Sequence, residues 1–285
     1  MSLEVQNISY TYMVKTPFER KALQEVSLTI EKGEFVALIG HTGSGKSTLA
    51  EHLSGLLQPS SGKVLLDGVD LAGKGSAIKK ARSKIGMVFQ YPEHQLFAET
   101  IYEDIAFGPR NSGKSEEVVE EAVRSAMAFV NLDYETFKDR SPFQLSGGQM
   151  RRVAIAGVVA MEPDYLILDE PSAGLDPQSR DTVFAQLLAL FRARQMAVIL
   201  ITHSMEEAAQ YADRLIAMSK GRIILDGKTA DLFTTDRAIL EQAGLDVPAS
   251  LKLAEELQQN GLQLAGQPLT KEQLVAAILK AKGWA

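Results

Sequence analysis

Cysteine is absent from this sequence of 285 residues, which excludes disulfide bonds, thiolate metal sites and cysteine nucleophiles. Long apolar runs are missing as well. The longest, such as residues 154–161 and 196–201, are far shorter than the roughly 20 apolar residues that cross a bilayer. The N-terminus lacks the basic stretch and following apolar stretch of a signal peptide. We therefore expect a cytosolic protein in which any membrane role comes through a partner.

Positive charge is not in excess either. The chain has 36 acidic residues against 30 lysines and arginines, for a net charge of −6. A field of this sign repels nucleic acid, so we expect no nucleic-acid partner. Apolar residues at 45% and charged residues at 23% are typical of a globular protein. The length suits one large α/β domain with a small appendage.

Strands and helices are predicted in the order of an α/β fold. Apolar residues near period two predict strands over about the first 35 residues. The apolar run Phe35–Ile39 predicts a strand buried on both faces. Residues from about 92 to 160 are mostly helical in character, with a clear amphipathic stretch at 116–129. Further strands are predicted at residues 63–66, 85–89, 165–168 and 197–201, with a hairpin formed by residues 214–218 and 222–226.

The character of the chain changes after about residue 229. Short helical patterns then alternate with glycine and proline breaks, and Thr270 with Gln273 forms a capping box before an apolar helix face. We predict one domain over residues 1–229, with a helical subdomain at about 92–160, and a small helical C-terminal module over residues 230–285.

Residues 40–48, with the sequence GHTGSGKST, contain the pattern G-x-x-x-x-G-K-[ST] between a predicted strand and a predicted helix. Glycines let backbone N–H groups turn inward around phosphates, and the helix N-terminus adds its positive dipole end. Lys46 should reach the β- and γ-phosphates of ATP, and the Ser47 hydroxyl should ligate Mg²⁺. The predicted ATP-binding residues of this loop are Gly40, His41, Thr42, Gly43, Ser44, Gly45, Lys46, Ser47 and Thr48.

Asp169 and Glu170 come directly after the predicted strand at 165–168, where ligands of open α/β sheets bind. Asp169 is placed to hold Mg²⁺, directly or through water. Glu170 is the candidate general base for the attacking water. His203 follows another buried strand; a lone histidine usually satisfies only a local hydrogen bond, but this one lies at the same sheet edge, beside the expected γ-phosphate. Glu170, His203 and Lys46 are therefore the candidate catalytic residues.

The segment LSGGQ, residues 145–149, precedes a helix predicted from about Met150. Its serine hydroxyl, two glycines and the helix N-terminus form a second anion-binding surface, from Ser146, Gly147, Gly148 and Gln149. One chain that binds one nucleotide does not need two such surfaces. A dimer that holds ATP between the phosphate loop of one subunit and this segment of another does. Arg151 and Arg152 are expected to be mainly exposed on the following helix.

These motifs, together with Gln90 and the segments YLILDE (165–170) and SAGLD (172–176), resemble the nucleotide-binding subunit of an ABC transporter over residues 3–230. The resemblance implies a P-loop NTPase fold with a RecA-like core, an antiparallel β subdomain and a helical signature subdomain. It also implies a head-to-tail dimer with two ATP sites.

The same resemblance assigns roles to individual side chains. Tyr12 would stack on adenine, Gln90 would sense Mg²⁺ and the γ-phosphate, Asp176 would communicate across the dimer interface, and His203 would contact the γ-phosphate. Aromatic stacking suits a base. Tyr10 is close to Tyr12, however, and the alternation of the strand does not choose between the two.

The stretches TPFERKAL (16–23), MVFQYPEHQLF (87–97), DIAFGP (104–109) and QLSGGQMRRVAIAG (144–157) resemble the ATPase subunits of energy-coupling-factor vitamin transporters. TPFER and PEHQLF favour the second of the two A-type, CbiO-like subunits. This resemblance implies a heterodimer with a paralogous ATPase, joined in part by the C-terminal module, with a homodimer as the alternative that the sequence leaves open. It also implies a transmembrane T subunit docked near residues 90–97 and separate membrane S subunits that choose the substrate.

The function expected from this resemblance is ATP hydrolysis by a peripheral subunit at the cytoplasmic face of the membrane, driving uptake of vitamins or other micronutrients. An alternative is a soluble ABC-type ATPase that acts on nucleic acid or the ribosome. Such proteins usually carry a long coiled-coil insertion or two ATPase cassettes, and this acidic sequence has neither. A non-hydrolytic nucleotide-binding module is a third alternative, although none of the core motifs is degenerate.

Overall fold

The computed structural model describes residues 1–284, in which strands and α-helices alternate along most of the chain. The strands are β1 (Ser2–Tyr12), β2 (Arg20–Glu31), β3 (Phe35–Ile39), β4 (Ser61–Leu66), β5 (Val69–Asp70), β6 (Ile85–Val88), β7 (Tyr165–Asp169), β8 (Ala197–Ile201), β9 (Arg214–Ser219) and β10 (Arg222–Lys228). The helices are α1 (Lys46–Leu53), α2 (Ser76–Arg82), α3 (Ile101–Asn111), α4 (Glu116–Phe129), α5 (Tyr134–Phe137), α6 (Gly147–Val159), α7 (Pro177–Arg194), α8 (Met205–Tyr211), α9 (Thr229–Thr234), α10 (Arg237–Gln242), α11 (Ala249–Gln259) and α12 (Lys271–Ala281).

The strands form two sheets. The smaller sheet is antiparallel with the order β2-β1-β4-β5, and the larger sheet has the order β10-β9-β3-β8-β7-β6. Strands β9, β3, β8, β7 and β6 run parallel, and β10 pairs antiparallel with β9 as predicted. The fold class predicted from the sequence is therefore confirmed. The segments that follow β3, β6, β7 and β8 all leave from the same edge of the large sheet, which is where ligands of such sheets bind.

Every residue of β3, β7 and β8 is buried, because both faces of the large sheet are covered. Alternate residues of β3 point to opposite faces and so belong to two different apolar cores. Val36 and Leu38 pack in the core that includes the small sheet and α1. Phe35 and Ala37 pack in the core that includes the helices on the other face.

The helical subdomain consists mainly of α3, α4 and α6, which pack against one another. In α4 the buried residues are Val119, Val123, Ala126 and Met127. Their spacing places them on one face of the helix, which confirms the predicted amphipathic stretch. The subdomain shares its core with the large sheet, so it is held against the sheet by apolar packing.

The C-terminal helices α9, α10 and α11 pack onto the core of the large sheet, and α11 also packs with α12 around a small cluster of its own. Phe233, Leu240 and Leu251 belong to the same apolar core as the large sheet, and Leu274 of α12 joins a small separate cluster. The predicted capping box at Thr270 is confirmed. The boundary between residues 229 and 230 stays a prediction. Within residues 1–284, no helix is both long enough and apolar enough to cross a membrane.

Two expectations about the segment after LSGGQ are wrong. The helix α6 begins at Gly147 rather than near Met150, because Ser146 is its N-cap and forms a capping box with Gln149. Arg151 is only 2% exposed, and Arg152 is half-buried. Arg151 is buried because Glu93 and two backbone carbonyls accept hydrogen bonds from its guanidinium group.

Candidate functional site

The phosphate loop connects β3 to α1 at the carboxyl edge of the large sheet. Gly45, the residue before α1, has φ of +109°, a backbone conformation that side chains rarely adopt, and a Cβ atom there would lie 2.7 Å from the carbonyl oxygen of Ala22. The fold therefore requires glycine at this position. The N-terminus of α1 faces the loop with free backbone N–H groups, which suits an anion.

Lys46 is buried, with 8% of its surface exposed, and its Nζ atom donates to the carbonyl oxygens of Gly40 at 2.6 Å and His41 at 3.2 Å. Burial lowers the pKa of Lys46, and the negative charges of Glu170 and Asp169 oppose that effect. Nearby, the Ser44 hydroxyl is fully buried and has no hydrogen-bond partner within residues 1–284. The loop thus holds a buried cation and a buried hydroxyl that suit an anionic ligand.

Asp169, the last residue of β7, is buried beside the loop. Its burial raises the pKa of the carboxyl group, an effect that a hydrogen bond from the Ser47 hydroxyl opposes. A hydroxyl and a carboxylate therefore lie next to each other at the start of α1. Oxygen atoms of this kind are the ligands that Mg²⁺ prefers.

Glu170 joins three separate segments of the chain. Gln90 Nε2 donates to Glu170 Oε2 at 2.8 Å, and His203 Nδ1 lies 3.2 Å from Glu170 Oε1. Glu170 itself has φ of +48°, a left-handed conformation that is uncommon for residues other than glycine. Backbone strain of this kind concentrates at functional sites. The loops after β6, β7 and β8 thus bring one carboxylate, one amide and one imidazole together.

These groups surround a cavity of about 490 Å³. Its lining residues are Tyr12, Arg20, Ala22, Thr42, Gly43, Gly45, Lys46, Ser47, Thr48, Gln90, Glu170 and His203. A carboxylate, a buried cation and loop N–H groups therefore face one space large enough for a nucleotide, the arrangement that phosphoryl transfer to water needs.

Tyr12, rather than Tyr10, lines this cavity. Tyr12 is 36% exposed, and its hydroxyl forms a hydrogen bond with Thr48 Oγ1 at 3.2 Å. Tyr10 packs edge-on against the buried His52, with ring centres 4.8 Å apart, and also against the ring of Tyr12. The geometry therefore favours Tyr12 over Tyr10 as the aromatic ring that would stack on the adenine ring of a nucleotide.

Sequence reasoning missed two lining residues, Arg20 and Ala22. Arg20 is the register partner of Tyr12 in the β1–β2 pair, and its Nη2 atom donates to the carbonyl oxygen of Gly43 at 3.3 Å. The strand pairing would have indicated both residues, because they belong to β2, which lies beside Tyr12 in the sheet. The pairing itself depends on the length of the loop between the strands, which periodicity does not give.

The LSGGQ residues do not line this cavity. Ser146, Gly148 and Gln149 face a second cavity of about 250 Å³ together with the start of α7. A Cβ atom at Gly147 or Gly148 would meet no other atom within 4 Å, so this surface is open to an approaching molecule. Asp176 lines neither of these two cavities; it is the N-cap of α7 and accepts a hydrogen bond from the backbone N–H of Ser179.

Comparisons with known proteins agree with this geometry. The sequence model of the protein family described as "ABC transporter" matches residues 23–173. The "energy-coupling factor transporter ATP-binding protein EcfA2" of Clostridium perfringens is 52% identical and covers 98% of both chains. The protein of the same name from Symbiobacterium thermophilum is 51% identical over 98% of this chain and 96% of its own.

Solved structures show the same fold. The structure of cbiO1 from Clostridium perfringens, described as part of the ABC transporter complex cbiONQ, is 35% identical with a TM-score of 0.73 and covers 90% of this chain and 98% of its own. The ATP-binding cassette MJ0796, solved as a dimer in a post-hydrolysis state bound to ADP and Pi, is 29% identical with a TM-score of 0.71 and covers 80% of this chain and 99% of its own.

Proposed function

This chain belongs to the ABC transporter family, among its energy-coupling factor ATP-binding proteins, and from that premise we propose that it hydrolyses ATP to drive an importer of vitamins or other micronutrients. The observation that carries the proposal is the convergence of the phosphate loop, Lys46 and the Gln90–Glu170 pair on one cavity. Membrane partner subunits would bind and transport the substrate, and this chain would supply the free energy of ATP hydrolysis at the cytoplasmic face of the membrane.

The residues around the cavity divide the chemistry between binding and proton transfer. Backbone N–H groups of the loop and of the first turn of α1 bind the phosphate oxygens, and Lys46 exchanges its carbonyl acceptors for the β- and γ-phosphates. Glu170 takes a proton from the attacking water as the water oxygen bonds to the γ-phosphorus and the bond to the ADP oxygen breaks. Gln90 and His203 hold the Glu170 carboxylate in place.

We assign the Mg²⁺ position to Ser47 and Asp169, with Gln90 at its edge. The neighbouring hydroxyl and carboxylate oxygens fit a hard cation. Within residues 1–284, no group of three or more histidine or acidic side chains could hold a metal ion by itself. The protein oxygens would therefore hold the ion together with phosphate oxygens, where it neutralises charge on the β- and γ-phosphates.

We propose that the two anion-binding surfaces of one chain serve two different nucleotides. The LSGGQ surface is open and lies away from the phosphate loop of its own chain. In a head-to-tail dimer it would cover the nucleotide held by the partner, while Asp176 at the start of α7 would lie at the interface. The relative MJ0796 has been solved as a dimer. We propose a heterodimer with a paralogous ATPase, in which residues 230–285 help join the two subunits.

Replacement of Tyr12 tests the adenine platform. We expect Tyr12→Leu to weaken ATP binding roughly 5- to 150-fold, because loss of a stacked base costs about 1–3 kcal/mol and each increment of about 1.4 kcal/mol is a factor of ten. The matched variant is Tyr10→Leu, which removes a ring packed against His52 but outside the cavity. It should lower thermal stability and change ATP affinity less. A larger loss of affinity in Tyr10→Leu, measured by nucleotide titration, would assign the platform to Tyr10.

Isolation of the tagged chain from its native membrane tests the proposed function as a whole. The membrane is solubilised in detergent, and the proteins that accompany the chain are identified by mass spectrometry. We expect a second ATPase of similar size and at least one hydrophobic subunit, with ATPase activity in the purified assembly. Recovery of the chain with nucleic acid or ribosomes, released by salt and without any membrane protein, would contradict the proposal and support the alternative function.

A further inference from the structure

Arg151 lies in α6, five residues after the N-cap Ser146, and is 2% exposed. A buried arginine is uncommon and requires partners for its charge and for its N–H groups. In this chain those partners come from two segments that are distant in sequence. Each of the two follows directly on a residue of the candidate active site.

The first segment begins at Gln90. Its short 3-10 turn, Pro92–Gln95, carries Glu93, whose carboxylate receives both sides of the guanidinium fork. Arg151 Nε lies 3.1 Å from Glu93 Oε2, and Arg151 Nη2 lies 3.3 Å from Glu93 Oε1. The ring of Tyr91 also lies against the guanidinium, 5.9 Å from its centre. Paired hydrogen bonds of this type fix both distance and orientation.

The second segment begins at Glu170. Arg151 Nη1 donates to the carbonyl oxygen of Ala173 at 2.6 Å and to that of Pro171 at 3.4 Å. These carbonyls belong to the turn that follows the left-handed backbone of Glu170. One guanidinium group therefore holds the segment after Gln90 and the segment after Glu170 together.

We propose that Arg151 is a positioning residue for ATP hydrolysis, which sets the relative geometry of Gln90 and Glu170. The 2.8 Å hydrogen bond between these two side chains joins residues 80 positions apart, and Arg151 ties together the backbone just beyond each of them. Because Arg151 belongs to the helix that begins at LSGGQ, it also connects the surface proposed to face the partner's nucleotide with the general base. This inference rests on the ATPase function proposed above.

The test compares variants that keep the charge or the shape of the pair. Arg151→Lys keeps the charge but loses the planar fork, and Glu93→Gln keeps the shape but loses the charge. We expect each variant to lower kcat for ATP about 10- to 100-fold, the range expected when a catalytic group is displaced by about 1 Å. KM and ATP affinity should stay within about twofold, because neither residue lines the cavity of the phosphate loop, and Arg151 borders the LSGGQ cavity with only 2% of its surface exposed.

The matched control is Arg110→Lys. Arg110 also forms a two-pronged pair with a glutamate, Glu116, but on the surface of the helical subdomain and away from both active-site segments. Turnover, ATP affinity and thermal unfolding are measured on the full-length chain in the assembly in which it purifies, with rates normalised to bound nucleotide. Arg110→Lys should keep the normal kcat.

The outcomes separate this inference from the function on which it rests. A fall in kcat for Arg151→Lys or Glu93→Gln at normal ATP affinity supports the positioning role. Normal kcat per bound nucleotide in both variants, with only a lower melting temperature, overturns it and leaves Arg151 with a purely structural role. Absence of ATPase activity in the unmodified chain and in Arg110→Lys would instead contradict the proposed function.

Discussion

Glu170→Gln is expected to bind ATP with normal affinity and to hydrolyse it about 10²- to 10⁴-fold more slowly, which is the usual contribution of a positioned general base. The amide has the size of the carboxylate and keeps an oxygen that accepts the 2.8 Å hydrogen bond from Gln90. What it loses is the ability to take the proton of the attacking water. Single-turnover hydrolysis and a nucleotide-binding titration on the same preparation measure the two effects separately.

The control for this variant is Glu162→Gln. Glu162 is also a glutamate with a left-handed backbone, φ of +55°, but it lies outside the nucleotide cavity and pairs with Lys114 and Arg194. We expect normal hydrolysis from it. Near-normal hydrolysis in Glu170→Gln itself would remove Glu170 from the role of general base. Loss of ATP binding in Glu170→Gln would indicate that Glu170 has a structural rather than a chemical role.

Lys46→Ala is expected to lose ATP binding and hydrolysis together. Each charge-assisted hydrogen bond contributes about 1.5–3 kcal/mol, and Lys46 is placed to make two of them, with the β- and γ-phosphates. At about 1.4 kcal/mol for each factor of ten, ATP affinity should fall by about 10² or more. A titration with a fluorescent ATP analogue, followed by an ATPase assay at saturating ATP, measures both losses.

The lowered pKa of Lys46 indicates that lost ATP binding in Lys46→Ala would not be caused by unfolding of the chain. Burial lowers that pKa, so the folded chain binds the proton less firmly than the unfolded chain does. The free energy of unfolding must then rise with pH across the interval between the folded and unfolded pKa values. Below that interval the lowered pKa is a net cost to the nucleotide-free fold, so we expect Lys46→Ala to lose ATP binding without a large fall in melting temperature.

The control for Lys46→Ala is Lys63→Ala, which removes an exposed lysine of β4 outside the nucleotide cavity. It should bind and hydrolyse ATP normally. Retained ATP affinity in Lys46→Ala would contradict the role of the phosphate loop. A large drop in its melting temperature would show instead that the lysine supports the fold.

Elements whose signal is local could be predicted from the sequence. The phosphate loop is one continuous stretch between an apolar strand and a helix, so its pattern contains all the information that its conformation needs. The same holds for the buried strands β3, β7 and β8 and for the capping box at Thr270, which the structure confirms. The identity of the family could also be predicted, because its motifs occur in a fixed order along the chain.

Features that depend on contacts between distant segments could not be predicted. Arg151 was expected to be exposed because arginines on helices usually are, and nothing near it in sequence indicates Glu93 or the carbonyl of Ala173. The choice between Tyr10 and Tyr12 likewise depended on tertiary packing. The ring of Tyr10 packs against His52, whereas the ring of Tyr12 faces the cavity.

The chemistry of this protein was therefore determined by local sequence, and the geometry of the site by tertiary structure. A loop that binds phosphate, a strand that ends in two acids and a segment that caps a helix are each specified within about ten residues, since backbone hydrogen bonds and glycine conformations act over that range. The meeting of Gln90, Glu170 and His203 depends on the parallel order of β6, β7 and β8 in the sheet. These strands are separated by long stretches of chain, so their pairing and the burial of both sheet faces depend on residues along the whole chain.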